Sequence, residues 1–189
     1  MRPIFLIIKI LVLCNPIFAQ LKIPALKYTS SDETFLSDSI IKALTKKSDV
    51  VILYMAYSTW SWNVKYQVIN HDINNTWHYS VLSKSLLNED DKEQKISAID
   101  LPKASIKKIW QAFIDNDFFA IKNEADIKVN CKAHVYDALH YEFRIITKKQ
   151  YKILDYYAPE YFEKQCPGNM ERQKIIKCAK IVFSFTNYK

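Results

Sequence analysis

Cys131, His134, Asp137 and His140 follow one another at three-residue intervals, and these side-chain types ligate metals or relay protons. A Cys-x-x-His pair opens some zinc sites, and a thiolate beside a histidine can act as a nucleophile with its base. The context argues against both. Neither HExxH nor CxxC occurs in the chain. Residues 139–145 alternate apolar with polar, which sends Asp137 and His140 to opposite sides of a strand. No metal and no cofactor is expected. His134, Asp137 and His140 remain the candidate catalytic residues of a hydrolase-type enzyme, the alternative to a non-enzymatic binding domain.

The cysteines have a simpler use. Cys131 precedes, and Cys166 follows, two segments that read as an antiparallel hairpin, so the fold brings their ends together. In an oxidising compartment they are expected to form a disulfide. Cys178 sits three residues after Ile175 on an apolar helical stripe and reads as a buried thiol.

Aromatic side chains are the residues best suited to binding. Trp60, Trp62, Tyr66, Trp77 and Tyr79 crowd one hairpin, and Tyr156, Tyr157, Tyr161 and Phe162 form a second cluster. Such residues anchor protein partners and stack on flat ligands. Most of the hairpin ladder is expected to face the core. Trp60 at its end is expected to be exposed, and Trp60, Trp62, Tyr157 and Tyr161 are the candidate binding residues. An unidentified protein or a glycan or other envelope ligand is the expected partner.

Composition removes other classes. The chain has 189 residues and a single glycine, Gly168. Glycine-dependent phosphate, dinucleotide, nucleophile-elbow and EF-hand loops cannot be written without more, so no nucleotide is expected. Of 27 basic residues only Arg2, Arg144 and Arg172 are arginine, and the lysines are spread along the chain, which does not suit nucleic acid. The run Glu89-Asp90-Asp91 with Glu93 lacks the ligand alternation and glycine of a calcium loop.

Residues 1–19 read as a cleaved signal peptide: Arg2, an apolar run from Ile4 to Cys14 broken by Lys9, then Pro16 and a small residue at Ala19. The Phe-Ala-Gln ending resembles the signals of exported proteins of Gram-negative Bacteroidota. Residues 20–189 are then one α+β domain, periplasmic or secreted, with no transmembrane span. Its net charge falls from +7 to +5 with the loss of Arg2 and Lys9.

The elements that must position these residues follow from periodicity. Ser30 and Glu33 form a capping box for a helix reaching Lys47, and Val50–Tyr57 reads as a buried strand. Residues 60–70 and 76–84 read as a hairpin. Pairing Val68 with Trp77, Tyr66 with Tyr79 and Val64 with Val81 keeps the large side chains on one face. A helix carrying Ile106, Ile109, Trp110 and Phe113 follows, then a short strand over 118–121 and a loop over 124–133. Strands 139–145 and 151–157 form the second hairpin, whose register is not readable. Pro159–Glu163 starts a short helix, Pro167-Gly168 makes a turn, and Asn169 caps a last helix. The expected fold is α+β: an antiparallel sheet of two hairpins plus an extra strand, with three to four helices mainly on one face.

Overall fold

The computed structural model describes residues 21–30, 34–58, 60, 63–85, 95–128 and 130–186. Residues 1–19, read above as a signal peptide and including Cys14, lie outside the described residues, as do Glu33, Trp62 and the Glu89–Glu93 run.

The architecture is α+β. After a 3-10 turn over Thr34–Ser37 come α1 (Ser39–Lys47), β1 (Ser48–Tyr57), β2 (Asn63–Asp72), β3 (Trp77–Ser85), β4 (Lys95–Ala98) and α2 (Lys103–Asp115). Short 3-10 turns at Phe118–Ala120 and Glu124–Asp126 lead to β5 (His140–Thr147), β6 (Tyr151–Tyr157), α3 (Pro159–Gln165) and α4 (Met170–Thr186). The six strands form one sheet in the order β4-β3-β2-β1-β5-β6, with every neighbouring pair antiparallel. Among the described residues no helix is long and apolar enough to cross a membrane.

β1 is a continuous apolar run because it is buried on both faces. Val50, Ile52 and Tyr54 join the core with Ile106, Ile109 and Phe113 of α2 and Ile175, Cys178, Ala179 and Val182 of α4. Val51, Leu53 and Met55 join a smaller core on the opposite face, under Ile41 of α1.

That two-sided burial corrects the expected hairpin register. His71 pairs with Trp77, Ile69 with Tyr79 and Gln67 with Val81, three positions from the expected pairing. An odd shift exchanges faces. Val64, Tyr66 and Val68 therefore face α1, while Trp77, Tyr79 and Val81 face α2. Loop chemistry sets the register. The Asp72 carboxylate accepts the backbone N–H groups of Asn74 and Thr76 at 2.9 and 2.8 Å, and Asn75 takes the left-handed conformation at φ 62°. This tight loop wins over the ladder of large residues.

Smaller departures have equally local causes. Asp38, not Ser30, caps α1, accepting from Ile40 N at 2.9 Å and Ile41 N at 3.3 Å. Residues 118–120 coil as a 3-10 turn instead of a strand, so that Phe118 and Phe119 both reach the core. Residues 95–98 form an exposed edge strand. The last helix is capped by Asn169, whose Oδ1 accepts from Arg172 N at 3.0 Å.

Candidate functional site

β6 is an edge strand, and an edge exposes unpaired N–H groups. Here three alternate N–H groups are taken by side-chain oxygens. Ile153 donates to Ser30 Oγ (2.9 Å), Asp155 to Asn123 Oδ1 (2.9 Å) and Tyr157 to Glu124 Oε2 (2.8 Å). Burial raises the Glu124 carboxyl above its ordinary range, against the Tyr157 N–H and the Arg172 guanidinium. Residues 28–30 and 122–126 are thereby tied along the sheet edge, and between them and the sheet lies a cleft of about 800 Å³. Tyr28, Ser30, Lys122, Asn123, Asp126, Glu142 and Asp155 are among its lining residues.

The charged floor comes from register. Glu142 and Asp155 are direct cross-strand partners, so both carboxylates lie on one face. Each has a basic partner. His140 Nδ1 lies 3.0 Å from Asp155 Oδ1, and Arg144 Nε donates to Glu142 Oε1. Arg144 is also over the Tyr66 ring. Burial pushes the Tyr66 hydroxyl up to about 12, with Arg144 opposing and Glu142 assisting.

Next to the cleft the sheet face becomes aromatic. The His140 ring stacks on Tyr57, with centroids 4.8 Å apart, and lies 4.9 Å from the Tyr157 ring on its other strand neighbour. The Tyr157 hydroxyl donates to Val135 O at 3.1 Å and accepts from Ala138 N at 3.3 Å. The Tyr161 hydroxyl donates to His134 O at 3.0 Å. Tyr157 and Tyr161, expected as binding residues, thus tie down the 134–138 loop. That loop offers Asp137, itself left-handed at φ 55°, whose carboxylate accepts the Trp60 indole N–H at 2.8 Å. Trp60 is 70% exposed, and Tyr136 and Leu139, on either side of Asp137 in the chain, are exposed too.

The three candidate catalytic residues are not gathered into one constellation. His134 is exposed and touches α3 through its backbone carbonyl, Asp137 holds Trp60, and His140 pairs with Asp155. No group of three metal-ligating side chains occurs among the described residues. Trp62 lies outside them. The Cys131 and Cys166 sulfurs are 2.03 Å apart, within bonding distance, with Cα atoms 5.9 Å apart. They join the start of the 131–138 loop to the end of α3. Cys178 is buried, and burial pushes its thiol up to about 12, which makes it unreactive.

Sequence reasoning reached His140, Asp137 and Trp60 but missed Glu142, Asp155, Asn123 and Tyr28. The first two became a pair only through the β5–β6 register, for which the sequence offers no signal. Asn123 lay between the expected short strand over 118–121 and the loop over 124–133, in no assigned element. Comparison with known proteins gives nothing to transfer: no protein-family model matches the chain, and no curated protein matches it significantly.

Proposed function

We propose that residues 20–189 form the mature domain of an exported protein that binds a partner or ligand in the cell envelope or outside the cell, without catalysis. The observation that carries this reading is Trp60. A tryptophan 70% exposed and held by a carboxylate from a distant loop is a contact surface kept at the expense of burial. The cleft floored by Glu142 and Asp155 supplies polar groups, the usual complement to an aromatic anchor. The Cys131–Cys166 pair at bonding distance is compatible with an oxidising compartment.

Immobilised mature protein is incubated with the envelope fraction of its host, beside Trp60→Ala as control. Retention of a component by the parent protein, chemically unaltered and lost with Trp60→Ala, is the expected result. Equal retention by both proteins contradicts the reading.

Hydrolase-type chemistry is the second reading, and one observation favours it. Asp155 orients His140 at 3.0 Å, as a carboxylate orients a general base. Turnover of the retained component, abolished by His140→Ala, would select this reading over the first.

A further inference from the structure

Two exposed aromatic rings flank the cleft floor. Tyr28 is 53% exposed and lines the cleft at one end. Trp60 is not in its lining; it follows the end of β1, where Tyr57 pairs with His140 and His140 with Tyr157. Both depend on left-handed backbone: Tyr28 itself at φ 57°, and Trp60 through Asp137 at φ 55°. Tyrosine is rare in that region, whereas Asp137 tolerates it. Neither ring contributes to the two cores. The Tyr28 ring is held by Lys122 Nζ and Lys152 Nζ, 5.3 and 5.8 Å from its centroid, and still stays half exposed.

What the rings offer is specific. The indole N–H of Trp60 is already taken by Asp137, so Trp60 presents a face without a free polar handle. Between the rings lie acceptors. Asp155 and Glu142 give one oxygen each to His140 and Arg144, and Asp126 and Ser30 line the same cleft. Among the described residues of that lining, Lys122 is the one cation, against three carboxylates. A matching ligand has flat C–H faces, a rim of hydroxyl donors and no negative charge, which describes a pyranose chain.

Length follows from the strand. Ile153, tied to Ser30 beside Tyr28, and Tyr157, which holds the Asp137 loop, are four residues apart on β6, about 14 Å at the usual rise. A single sugar cannot reach both rings.

We infer that the cleft and Trp60 together bind an uncharged oligosaccharide, with Tyr28 and Trp60 stacking on sugar faces at its two ends and the carboxylates accepting from its hydroxyls. This rests on the reading of the chain as a binding domain.

The mature protein is probed on an array of neutral, uronic-acid and sulfated oligosaccharides, then titrated with the best neutral trisaccharide and its monosaccharide. Selective retention of neutral glycans is expected, with the trisaccharide bound more tightly than the monosaccharide. Trp60→Ala and Tyr28→Asn, which keeps a residue tolerant of left-handed backbone, should each weaken binding about tenfold, the loss of one stacked ring, with unchanged circular dichroism. Retention of no neutral glycan, preference for sulfated ones, or indifference to both substitutions overturns the sugar assignment. A protein captured through Trp60, with no glycan bound, overturns it while leaving the binding reading intact. The absence of any retained component overturns both.

Discussion

The indole N–H of Trp60 donates to the Asp137 carboxylate at 2.8 Å, joining residues 77 positions apart in sequence. The contact links the connection between β1 and β2 to the loop that the Cys131–Cys166 bridge anchors. Asp137 is suited to the role because its short polar side chain tolerates the left-handed backbone it occupies. Asp137→Asn keeps both the acceptor and that tolerance and should leave stability unchanged. Asp137→Ala loses both and should cost about 1 kcal/mol, read by denaturant unfolding.

Asn123 holds the sheet edge. Its Oδ1 accepts from Asp155 N at 2.9 Å and from Glu124 N at 2.8 Å. Asn123→Ala orphans both donors and should lower stability by about 2 kcal/mol. Ser30→Ala frees only the Ile153 N–H and should cost about half as much. Amide exchange at Asp155 should accelerate in the first variant and not in the second.

Gly168 is the position where the chain's single glycine is required. Its φ of +100° lies in the region that side chains rarely adopt, although the space around it is open. Strain, not collision, is then the penalty. Its N–H donates to Glu163 Oε1 at 2.9 Å, tying the turn to α3. Gly168→Ala should lower stability by about 1 kcal/mol, measured as a fall in melting temperature.

The bridge closes a loop over a sequence separation of 35. In the chain-entropy picture its reduction costs about 4 kcal/mol. Denatured, unreduced protein lacking residues 1–19 should show one free thiol, from Cys178, and mass mapping should link the Cys131 and Cys166 peptides. Three free thiols would contradict the pairing.

Lys152 gives stability a characteristic pH dependence. It is fully buried, and Nζ donates to Lys27 O at 2.6 Å and Phe119 O at 3.1 Å. Burial pulls its pKa down to about 8, with Glu171 opposing. Between pH 8 and the ordinary lysine value, about 10.4, the unfolded chain holds the extra proton, so stability rises with pH. Above about pH 10 the sign reverses. Burial raises Tyr79 and Tyr141 to about 12, so their unfolded forms ionise first and stability falls. Denaturant unfolding across this range should show a maximum near pH 10, and Lys152→Gln should remove the rising limb.

Much of the fold was legible in the sequence. Two hairpins followed from strand-forming runs bounded by polar loops, and the helix with Ile106, Ile109 and Phe113 and the last helix behind Asn169 from periodicity and caps, because each helix has one apolar face. The hairpin register was not legible because the sheet is covered on both sides. Apolar residues then occupy both alternating sets, and the decision passes to Asp72 and its loop. The site was legible only in part. Trp60 stood out as the aromatic least needed by a core, but the Glu142–Asp155 pair depends on a register set by a small turn. There Thr147 Oγ1 accepts from Gln150 N at 3.0 Å. Lys152, an ordinary surface lysine by its type, is buried because two loop carbonyls meet behind β6.

The most direct test of binding through this surface is photo-crosslinking in the cell that produces the protein. A benzophenone amino acid replaces Trp60 in one variant and Met170, equally exposed at the start of α4, in another. A discrete adduct from position 60 and none from position 170 is the result expected if the surface around Trp60 meets a ligand or partner. No adduct at position 60, or the same adducts from both, would contradict it.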